Sequence, residues 1–224
     1  LSIENSIQLE GIFTHYHSAD AIDNIHSINQ YTVFKNFLDA SDYQYKWIHI
    51  SNSDSVFSFD ESVSNSIRIG IALYGYSNKT TRLKPVLSLY SQISQIKSVK
   101  KGEVVSYSAT HVFESDMKIA ILPIGYADGF NRKFQGANLF INNRKVKILG
   151  RICMDQTIIE YPSDTKGNIV EIIGPNQTCV DLAEHIDTIP YEILTNLNDR
   201  ITRKFYYNEI LLDEVNHRYK CPSV

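Results

Sequence analysis

The pattern of apolar and polar positions changes near residue 85 of this chain. Before that point, apolar runs at 9–15, 47–51 and 67–74 predict three strands. Residues Ile22–Leu38 have apolar positions at helical spacing over their later part, and residues 54–62 predict a short helix or turn. Strands that alternate with helical segments are typical of βα units and a parallel sheet.

Beyond Pro85, short runs of strand-forming residues follow one another with turns between them. The strand candidates are 86–99, with partial alternation, then 103–107, 110–114, 118–124, 138–142, 145–149, 152–160 and 168–173. Many short strands at this spacing predict a β-sandwich or a barrel-like domain. Residues 179–198 are expected to be helical with an interruption at Pro190, and no element is assigned from Glu209 onward.

Two domains are therefore expected, joined by the polar and basic stretch Gly75–Lys84. Residues 1–84 form the α/β domain and residues 85–224 the mainly β domain. The chain of 224 residues is long enough for this arrangement, and its 43% hydrophobic and 21% charged residues are an ordinary globular composition.

Charge and composition exclude several classes of protein. The net charge of −3 argues against a protein built mainly to hold nucleic acid. No apolar run reaches the ~18 residues that a membrane span needs, and the first residues lack the features of a secretory signal. Cys153, Cys179 and Cys221 are odd in number and far apart, so neither a disulfide framework nor a zinc site is expected. A reducing cytoplasm fits best.

The most informative segment for chemistry is Ile119–Gly129, where an apolar run leads into a turn between two glycines. This turn is expected to hold the phenol of Tyr126 at the end of a strand, beside Asp128. A phenol is a poor base in water, and it becomes a better one where cationic neighbours stabilise the phenolate.

The segment Ile119–Gly129 closely resembles the signature of the catalytic tyrosine in alanine racemases. Gly150–Gln156, which reads Gly-Arg-Ile-Cys-Met-Asp-Gln, resembles a second segment of that family. Gly11–His15 together with Ser18–Asp20 resembles a third, and the three occur in the order that the family shows. The chain therefore resembles the alanine racemase family in both of its expected domains.

The resemblance implies a (β/α)₈ barrel followed by a β domain. Such a barrel uses ~250 residues, or about 30 per unit, so residues 1–84 would be its last three units. Residues 85–224 would be the whole β domain. About five units, on the order of 150 residues, would then precede this chain, in agreement with its lack of an initiator methionine.

The resemblance also implies a pyridoxal 5'-phosphate cofactor. Ser53, Gly70 and Ile71 would hold its phosphate, with Asn52 in support. The residue types fit this role, because a serine offers a hydroxyl and a glycine lets backbone N–H groups approach an anion closely. The alternative is that Ser53 caps a short helix and Gly70 packs against a neighbour.

The resemblance implies roles for three further residues of the expected α/β domain. Arg68 would face the pyridine nitrogen of the cofactor, where a guanidinium keeps its proton and leaves the ring a weaker electron acceptor. This favours racemisation over transamination. His15 would lie against the cofactor ring, and His49 would bridge Arg68 and Tyr126. His15 and His17 could also bind a metal, but no accompanying ligand cluster is present, so no metal site is expected.

Tyr126 would be one of two bases that exchange the α-proton of alanine on opposite faces. In the family, this tyrosine acts in the barrel of the other subunit, which implies a homodimer with shared active sites. Met154 and Asp155 would border the substrate, and Tyr107 would support the site. The product implied is D-alanine for peptidoglycan, made by a cytoplasmic isomerase.

Two departures from the family pattern leave alternatives open. No segment matches the lysine that binds the cofactor and acts as the second base, so the chain alone is expected to be inactive. Asp199 stands where several alanine racemases have a phosphate-binding tyrosine. A serine or other small amino acid racemase, a non-catalytic dimerisation or regulatory fragment, and a generic β-barrel binding module are the alternatives.

Overall fold

A computed structural model describes residues 7–21, 23–59 and 62–216 of the chain. Ile22, Cys221 and two residues of the predicted turn at 54–62, Asp60 and Glu61, lie outside the described residues. The chain divides into two compact units, Leu1–Val86 and Leu87–Val224.

The N-terminal unit is built on one short parallel pair of strands. Strand β1 (Gly11–Phe13) is followed by helix α1 (Ile25–Asp39) and by strand β2 (Trp47–His49), which pairs with β1 in parallel. Gly11 is required by this pairing, since a Cβ there would lie 2.8 Å from the carbonyl oxygen of Trp47. Tyr16, Ala19, Phe34 and Ile50 form the buried core under the sheet and α1. The mixed α/β prediction is confirmed for this part of the chain.

The predicted third strand at 67–74 is wrong. After a single parallel bridge between His49 and Ser66, the chain leaves the sheet and forms a 3₁₀ turn at Ile71–Tyr74. The reason lies in the hydrogen bonds. The N–H groups of Gly70 and Ala72 are taken by the Ser53 hydroxyl, and the N–H of Leu73 is taken by the carbonyl of Gly70. The predicted turn at 54–62 is confirmed as a 3₁₀ turn at Ser55–Phe57.

The C-terminal unit consists of antiparallel strands and two short helices. Its strands are β3 (Leu89–Gln92), β4 (Gln95–Val99), β5 (Val104–Val105), β6 (His111–Val112), β7 (Met117–Leu122), β8 (Asn138–Ile141), β9 (Arg144–Lys147), β10 (Thr157–Glu160), β11 (Ile169–Ile173), β12 (Arg203–Tyr207) and β13 (Ile210–Val215). Its helices are α2 (Cys179–His185) and α3 (Pro190–Thr195).

Two sheets form the core of this unit. One has the order β10-β7-β4 and the other β3-β11-β8-β9, while β5-β6 and β12-β13 are separate hairpins. A bridge between Ile148 and Ile159 connects the β9 and β10 edges. Leu122, Leu139 and Ile172 are fully buried, as expected for alternating strands that each place one face in a shared core.

The strand predictions between 103 and 173 are confirmed in number, with shorter bounds. The first half of the candidate 152–160 is wrong, because Cys153 donates to the carbonyl of Gln156 and closes a turn there. The predicted helix at 179–198 is two helices, the second with Pro190 at its first position, where a missing N–H costs nothing. The hairpin of β12 and β13 was missed. All five residues of β12 are exposed, so no buried face gives it a period-two pattern.

Candidate functional site

The guanidinium of Arg68 is the centre of the polar cluster in the N-terminal unit. Nη2 donates to the carbonyl of Thr14 at 2.9 Å and to Nδ1 of His15 at 2.8 Å. Nη1 donates to Nδ1 of His49 and to its carbonyl oxygen. Thr14 and His15 follow β1 and His49 ends β2, so the carboxyl ends of two parallel strands deliver these groups to one place.

These contacts fix the tautomers of both histidines. A guanidinium can only donate hydrogen bonds, so Nδ1 must accept in His15 and in His49, and each neutral ring carries its proton on Nε2. Burial, and then the charge of Arg68, lower the pKa of His49 from its ordinary value. His49 is therefore a neutral N–H donor, and the positive charge expected from this bridge resides on Arg68.

Phe13 completes this cluster and was missed by the sequence analysis. Its ring stacks on His49 with centroids 5.2 Å apart and planes 2° apart, and the Arg68 guanidinium lies 5.0 Å from its centroid. The ring is nevertheless 63% exposed. The available signal was the spacing of Phe13 and His15, since residues two apart on an extended chain share a face.

Ser53 and Gly70 meet at the start of the 3₁₀ turn, as the phosphate prediction requires. The buried Ser53 hydroxyl accepts from the N–H of Gly70 at 2.9 Å and from that of Ala72 at 3.3 Å. The Ser53 oxygen accepts both bonds through its lone pairs, so neither bond uses the hydroxyl proton. Ile71 opens the turn, and the first N–H groups of a helical turn have no acceptor within it.

Asn52 supports the same region through its side chain. Its Oδ1 accepts from the N–H of Asp54 at 3.3 Å and from that of Ser55 at 3.1 Å. Its Nδ2 donates to the carbonyl of Tyr16 at 3.5 Å. The Asn52 side chain therefore accepts the first N–H of the 3₁₀ turn at Ser55–Phe57. The N-cap residue of this turn is Asp54, so Ser53 does not cap it.

Tyr126 opens a 3₁₀ turn, Tyr126–Asp128, that directly follows the strand β7 and its short extension. The phenol-bearing side chain is 43% exposed. Gly129 ends the turn with φ +95°, and a Cβ there would lie 2.0 Å from the carbonyl oxygen of Asn196. Both observations agree with a turn that presents a phenol outward and has glycine as its last residue.

The segment Gly150–Gln156 supplies the backbone carbonyl groups that hold this turn in place. The N–H of Tyr126 donates to the carbonyl of Cys153 at 3.1 Å, and that of Ala127 to the carbonyl of Met154 at 2.9 Å. A Cβ on Gly125 would lie 2.3 Å from the same Cys153 carbonyl, which explains the first glycine. Met154 is 56% exposed, so its side chain is available beside the tyrosine turn. Asp155 is exposed as well.

Two hydroxyls that the sequence pattern does not single out, one buried and one partly buried, anchor these segments. Thr157 is fully buried and donates to the carbonyl of Ile124 at 2.7 Å. Ser106 donates to the carbonyl of Arg151 at 2.9 Å and accepts from its N–H at 2.8 Å. No local pattern separates such a threonine or serine from the others in the chain.

Tyr107 lies on a loop that the Ser106 hydroxyl attaches to Arg151, in the segment Gly150–Gln156. The loop is unusual in its backbone, since Ser106, Ser108 and Ala109 all have positive φ. Strained backbone of this kind is concentrated at functional sites. Tyr107 is 71% exposed, and so its ring is available to a partner or a ligand.

A cleft of about 400 Å³ adjoins Tyr126. It is lined by Tyr126, Ala127, Gly129, Asn131, Arg132, Asn196 and Asn198. Close by in sequence, the exposed carboxylate of Asp199 pairs with Arg203 over 3.2 Å. The charge of Asp199 is thus partly offset by an arginine of β12.

The predicted site residues therefore form one cluster in each unit. Arg68, His15 and His49 are in contact, with the Ser53–Gly70 pair in the same unit. The turn that begins at Tyr126 is hydrogen-bonded to the backbone of Cys153 and Met154. Among residues 7–21, 23–59 and 62–216, no three histidine, cysteine or acidic side chains group as a metal site would require. Within the same ranges, none of the helices has both the length and the apolar character of a membrane span.

Comparison with known protein families accounts for both units. The family model described as "Alanine racemase, C-terminal domain" matches residues 86–205. The model described as "Alanine racemase, N-terminal domain" matches residues 1–78. The first match alone spans more than half of the chain. The chain carries, in order, parts of both domains that define this class of amino acid isomerase, and it belongs to the alanine racemase family.

Individual relatives agree with this assignment. The chain is 40% identical over 221 residues to an alanine racemase of Staphylococcus epidermidis, covering 92% of the chain and 57% of that protein. It is 35% identical over 219 residues to one of Listeria monocytogenes, covering 92% and 60%. The chain thus spans less than two thirds of the length of these relatives.

Solved structures of alanine racemases share its fold. The Bacillus anthracis enzyme with bound L-Ala-P has a TM-score of 0.89 and 34% identity, over 94% of this chain and 58% of that one. The Clostridium difficile enzyme in complex with cycloserine has a TM-score of 0.87 and 31% identity, over 95% and 60%. The Bartonella henselae enzyme, solved with covalently bound pyridoxal phosphate, has a TM-score of 0.75 and 28% identity, over 84% and 54%.

Proposed function

We propose that this chain is the C-terminal portion of a pyridoxal phosphate-dependent alanine racemase that interconverts L- and D-alanine. Residues 1–84 would be the last three units of the cofactor-binding barrel and residues 85–224 the β domain. The observation that carries the proposal is the convergence of Thr14, His15 and His49 on the Arg68 guanidinium at the ends of two parallel strands. The reactive groups of such barrels lie at this end.

The donor set of the N-terminal unit fits the cofactor. A buried hydroxyl with an uncommitted proton, at Ser53, stands beside a 3₁₀ turn. The first N–H of that turn, on Ile71, has no acceptor within it and can bind a phosphate oxygen. A Cβ on Gly70 would stand 3.9 Å from the Ser53 oxygen, at ordinary van der Waals distance, so position 70 borders the same space as that hydroxyl. Arg68 supplies a permanent positive charge for the ring nitrogen.

The bound cofactor would withdraw electrons from the α-carbon of the amino acid and so acidify its α-hydrogen. Arg68 would keep its own proton and hold His15 and His49 in one tautomer each. Both histidines would then present an Nε2–H donor that can stabilise a phenolate. The half-exposed phenol of Tyr126, supplied by the partner copy of a homodimer, would take or return the α-proton on one face.

The second face needs a base that none of these residues provides. The lysine expected by resemblance would come from the preceding barrel half of the longer polypeptide. The isolated chain is therefore proposed to be inactive by itself. The physiological role would be the supply of D-alanine for peptidoglycan in the cytoplasm, with alanine as the substrate rather than a nucleic acid or a membrane component.

The experiment is a racemisation assay on the full-length protein, in which D-alanine formed from L-alanine is separated by chiral chromatography. Tyr126→Phe removes the proposed base and should lower kcat by about 10²- to 10⁴-fold, the usual contribution of such a group. Tyr90→Phe, at an exposed position of β3, is the matched control. Full activity of Tyr126→Phe would end the proposal.

The same assay separates the alternatives. Faster turnover of serine than of alanine would identify a serine racemase, an outcome to be weighed because Asp199 departs from the family pattern. Absence of turnover with every small amino acid, in a dimeric and cofactor-free protein, would identify a dimerisation fragment. Ordinary turnover by the isolated chain would refute the proposed need for the missing lysine.

A further inference from the structure

Asp128 is a buried acidic residue two positions after Tyr126. Its side chain is only 3% exposed. Oδ2 accepts from the N–H of Gly125 at 3.0 Å, and Oδ1 lies 3.6 Å from Nε of Arg200. A buried charge is costly unless it is paired, and an asparagine or serine could close the turn by accepting the same N–H. The carboxylate therefore does more than close the turn.

What Asp128 adds is a connection to the segment 196–200. The side chain meets Arg200, and the backbone carbonyl of Asp128 accepts from the N–H of Asn198 at 3.0 Å. Next to it, Gly129 packs directly on the backbone of Asn196. The tyrosine turn is therefore held by this segment on one side, and by the carbonyls of Cys153 and Met154 on the other.

Within its own copy of the chain, the phenol of Tyr126 is oriented by its backbone. Among the residues that the structure describes, the Tyr126 side chain has no hydrogen-bond partner, and it is 43% exposed. The direction in which it reaches the proposed Nε2–H donors of the partner copy thus depends on the backbone of a single 3₁₀ turn. Because a reacting group that is misplaced by about 1 Å can lose ~10²-fold in rate, the anchors of this turn matter for catalysis.

We propose that Asp128 and Arg200 form a positioning pair that sets the direction of the Tyr126 phenol. The inference rests on the proposed function, in which Tyr126 is one of two bases. Neither residue lines the cleft beside Tyr126. Asp128 holds the turn closed through Gly125 and ties it to Arg200, so loss of either partner lets the turn shift relative to the sheet.

Two single variants distinguish positioning from a direct electrostatic effect. Asp128→Asn removes a negative charge near the phenol, whereas Arg200→Gln removes a positive one. A purely electrostatic role predicts opposite effects on the acid limb of the pH–rate profile. A positioning role predicts that both variants lower kcat, on the order of 10- to 100-fold, with little change in KM.

The double variant provides an independent check. Because each single change breaks the same connection, Asp128→Asn combined with Arg200→Gln should be little worse than either alone. Independent roles would give losses that multiply. Arg200 is 40% exposed, so Arg200→Gln is expected to fold and keeps the proposal testable even where Asp128→Asn does not.

Substrate isotope effects supply the readout that simple structural damage would not move. With α-deuterated L- and D-alanine, a misdirected phenol makes its own proton transfer more rate-limiting. The isotope effect should then rise for the enantiomer whose α-hydrogen Tyr126 removes and fall for the other. A smaller fraction of properly folded enzyme would lower both rates and leave both isotope effects unchanged.

Matched controls exist within the same unit. Asp181 makes the same carboxylate-to-N–H contact, with Thr178 at 2.6 Å, but in helix α2. Arg144 makes an exposed pair with Asp164 at 2.5 Å. Asp181→Asn and Arg144→Gln should keep the kinetics and isotope effects of the unmodified enzyme.

The outcomes separate the two proposals. An unmodified full-length protein that racemises no small amino acid defeats the proposed function. An active enzyme whose Asp128→Asn and Arg200→Gln variants both keep their kcat and isotope effects overturns the positioning pair alone.

Discussion

Nη2 of Arg68 donates a hydrogen bond to Nδ1 of His15 over 2.8 Å, although 53 residues separate them in the chain. An arginine is ordinarily a surface residue, but Arg68 holds together Thr14, His15 and His49 of the N-terminal unit. It also decides which nitrogen of the imidazole carries the proton, since a guanidinium has no lone pair to offer. The tautomer of His15, which follows β1, is thus set by Arg68, which follows β2.

Replacement of Arg68 by glutamine should release this control. A glutamine amide can donate or accept, so His15 and His49 would no longer be restricted to Nε2–H. Two-dimensional ¹⁵N–¹H spectra of the imidazoles should show one tautomer in the unmodified full-length protein and a mixture in Arg68→Gln. Activity should fall on the order of 100-fold, since bonds to charged groups contribute about 1.5–3 kcal/mol each.

Arg82→Gln is the control for this prediction, because Arg82 is exposed near the C-terminal end of the N-terminal unit. Its spectra and turnover should match those of the unmodified protein. A single Nε2–H tautomer retained in Arg68→Gln would contradict the role assigned to the guanidinium.

Ser53→Ala tests the phosphate site. The change removes the acceptor of the Gly70 and Ala72 N–H groups and the hydroxyl that would face a phosphate oxygen. Affinity for pyridoxal phosphate should fall about 10- to 100-fold, as expected for one or two lost charge-assisted hydrogen bonds. The measurement is a spectrophotometric titration of the cofactor-free full-length protein.

Pyridoxal, which lacks the phosphate, is the internal control for that titration. Its affinity should change much less, because the hydroxyl acts on the phosphate. Ser58→Ala removes a nearby serine hydroxyl that donates to the carbonyl of Asp54, and it should leave both affinities unchanged. Equal losses for the cofactor and for pyridoxal would place Ser53 outside the phosphate site.

His49 should make stability depend on pH in the acidic range. Burial and the charge of Arg68 lower the pKa of His49 in the folded protein, so the unfolded chain binds the proton more readily. Stability must then rise with pH where the two forms differ. The contribution is complete above the ordinary histidine pKa of about 6.5 and is lost as the pH falls below that value toward the lowered folded pKa.

The measurement is urea unfolding of the chain between pH 5 and pH 8, followed by circular dichroism. His49→Gln removes the titrating ring, so its stability should change less over that interval than that of the unmodified chain. His185→Gln, at an exposed position of α2, is the control and should keep the original pH dependence. An unchanged slope in His49→Gln would show that other groups cause the effect.

Gly129→Ala should be among the most destabilising single changes in the C-terminal unit. The position has φ +95°, and the added Cβ would lie 2.0 Å from the Asn196 carbonyl oxygen. The left-handed backbone and the clash together should cost on the order of 3 kcal/mol. Thermal unfolding of the chain would show this as a lower Tm.

Gly136→Ala separates the two causes. Gly136 also has positive φ, at +77°, but no atom of the described residues lies within 4 Å of the position that an added Cβ would take. Only the backbone strain applies there, so a loss of about 1 kcal/mol is expected. Equal losses at the two positions would mean that packing against Asn196 contributes nothing.

The tyrosine turn could be predicted from the sequence better than the arginine cluster, for a physical reason. Gly125, Tyr126 and Gly129 form one local unit, whose glycines and apolar lead-in are visible within a few residues. The partners of the Arg68 side chain lie 18 to 54 residues away, so their meeting depends on strand pairing that no short pattern records. Without the family resemblance, that arginine would have passed for a surface residue.

The failures have similar causes. Residues 67–74 are apolar enough for a strand, but Ser53 captures two N–H groups that a sheet would need. The final hairpin was missed because β12 has no buried side. Ser106 and Thr157 could not be singled out, since the role of each hydroxyl depends on the distant carbonyl group to which it donates.

The ribbon formed by β12 and β13 has a practical consequence. A two-stranded ribbon by itself is marginal in water, and Tyr206, Tyr207 and Leu212 are each at least 60% exposed. Its amides should therefore exchange with deuterium sooner than those of β7 and β11. A protease added at low dose should cleave the tip around Asn208 first. The sheets β10-β7-β4 and β3-β11-β8-β9 should then remain as a resistant fragment.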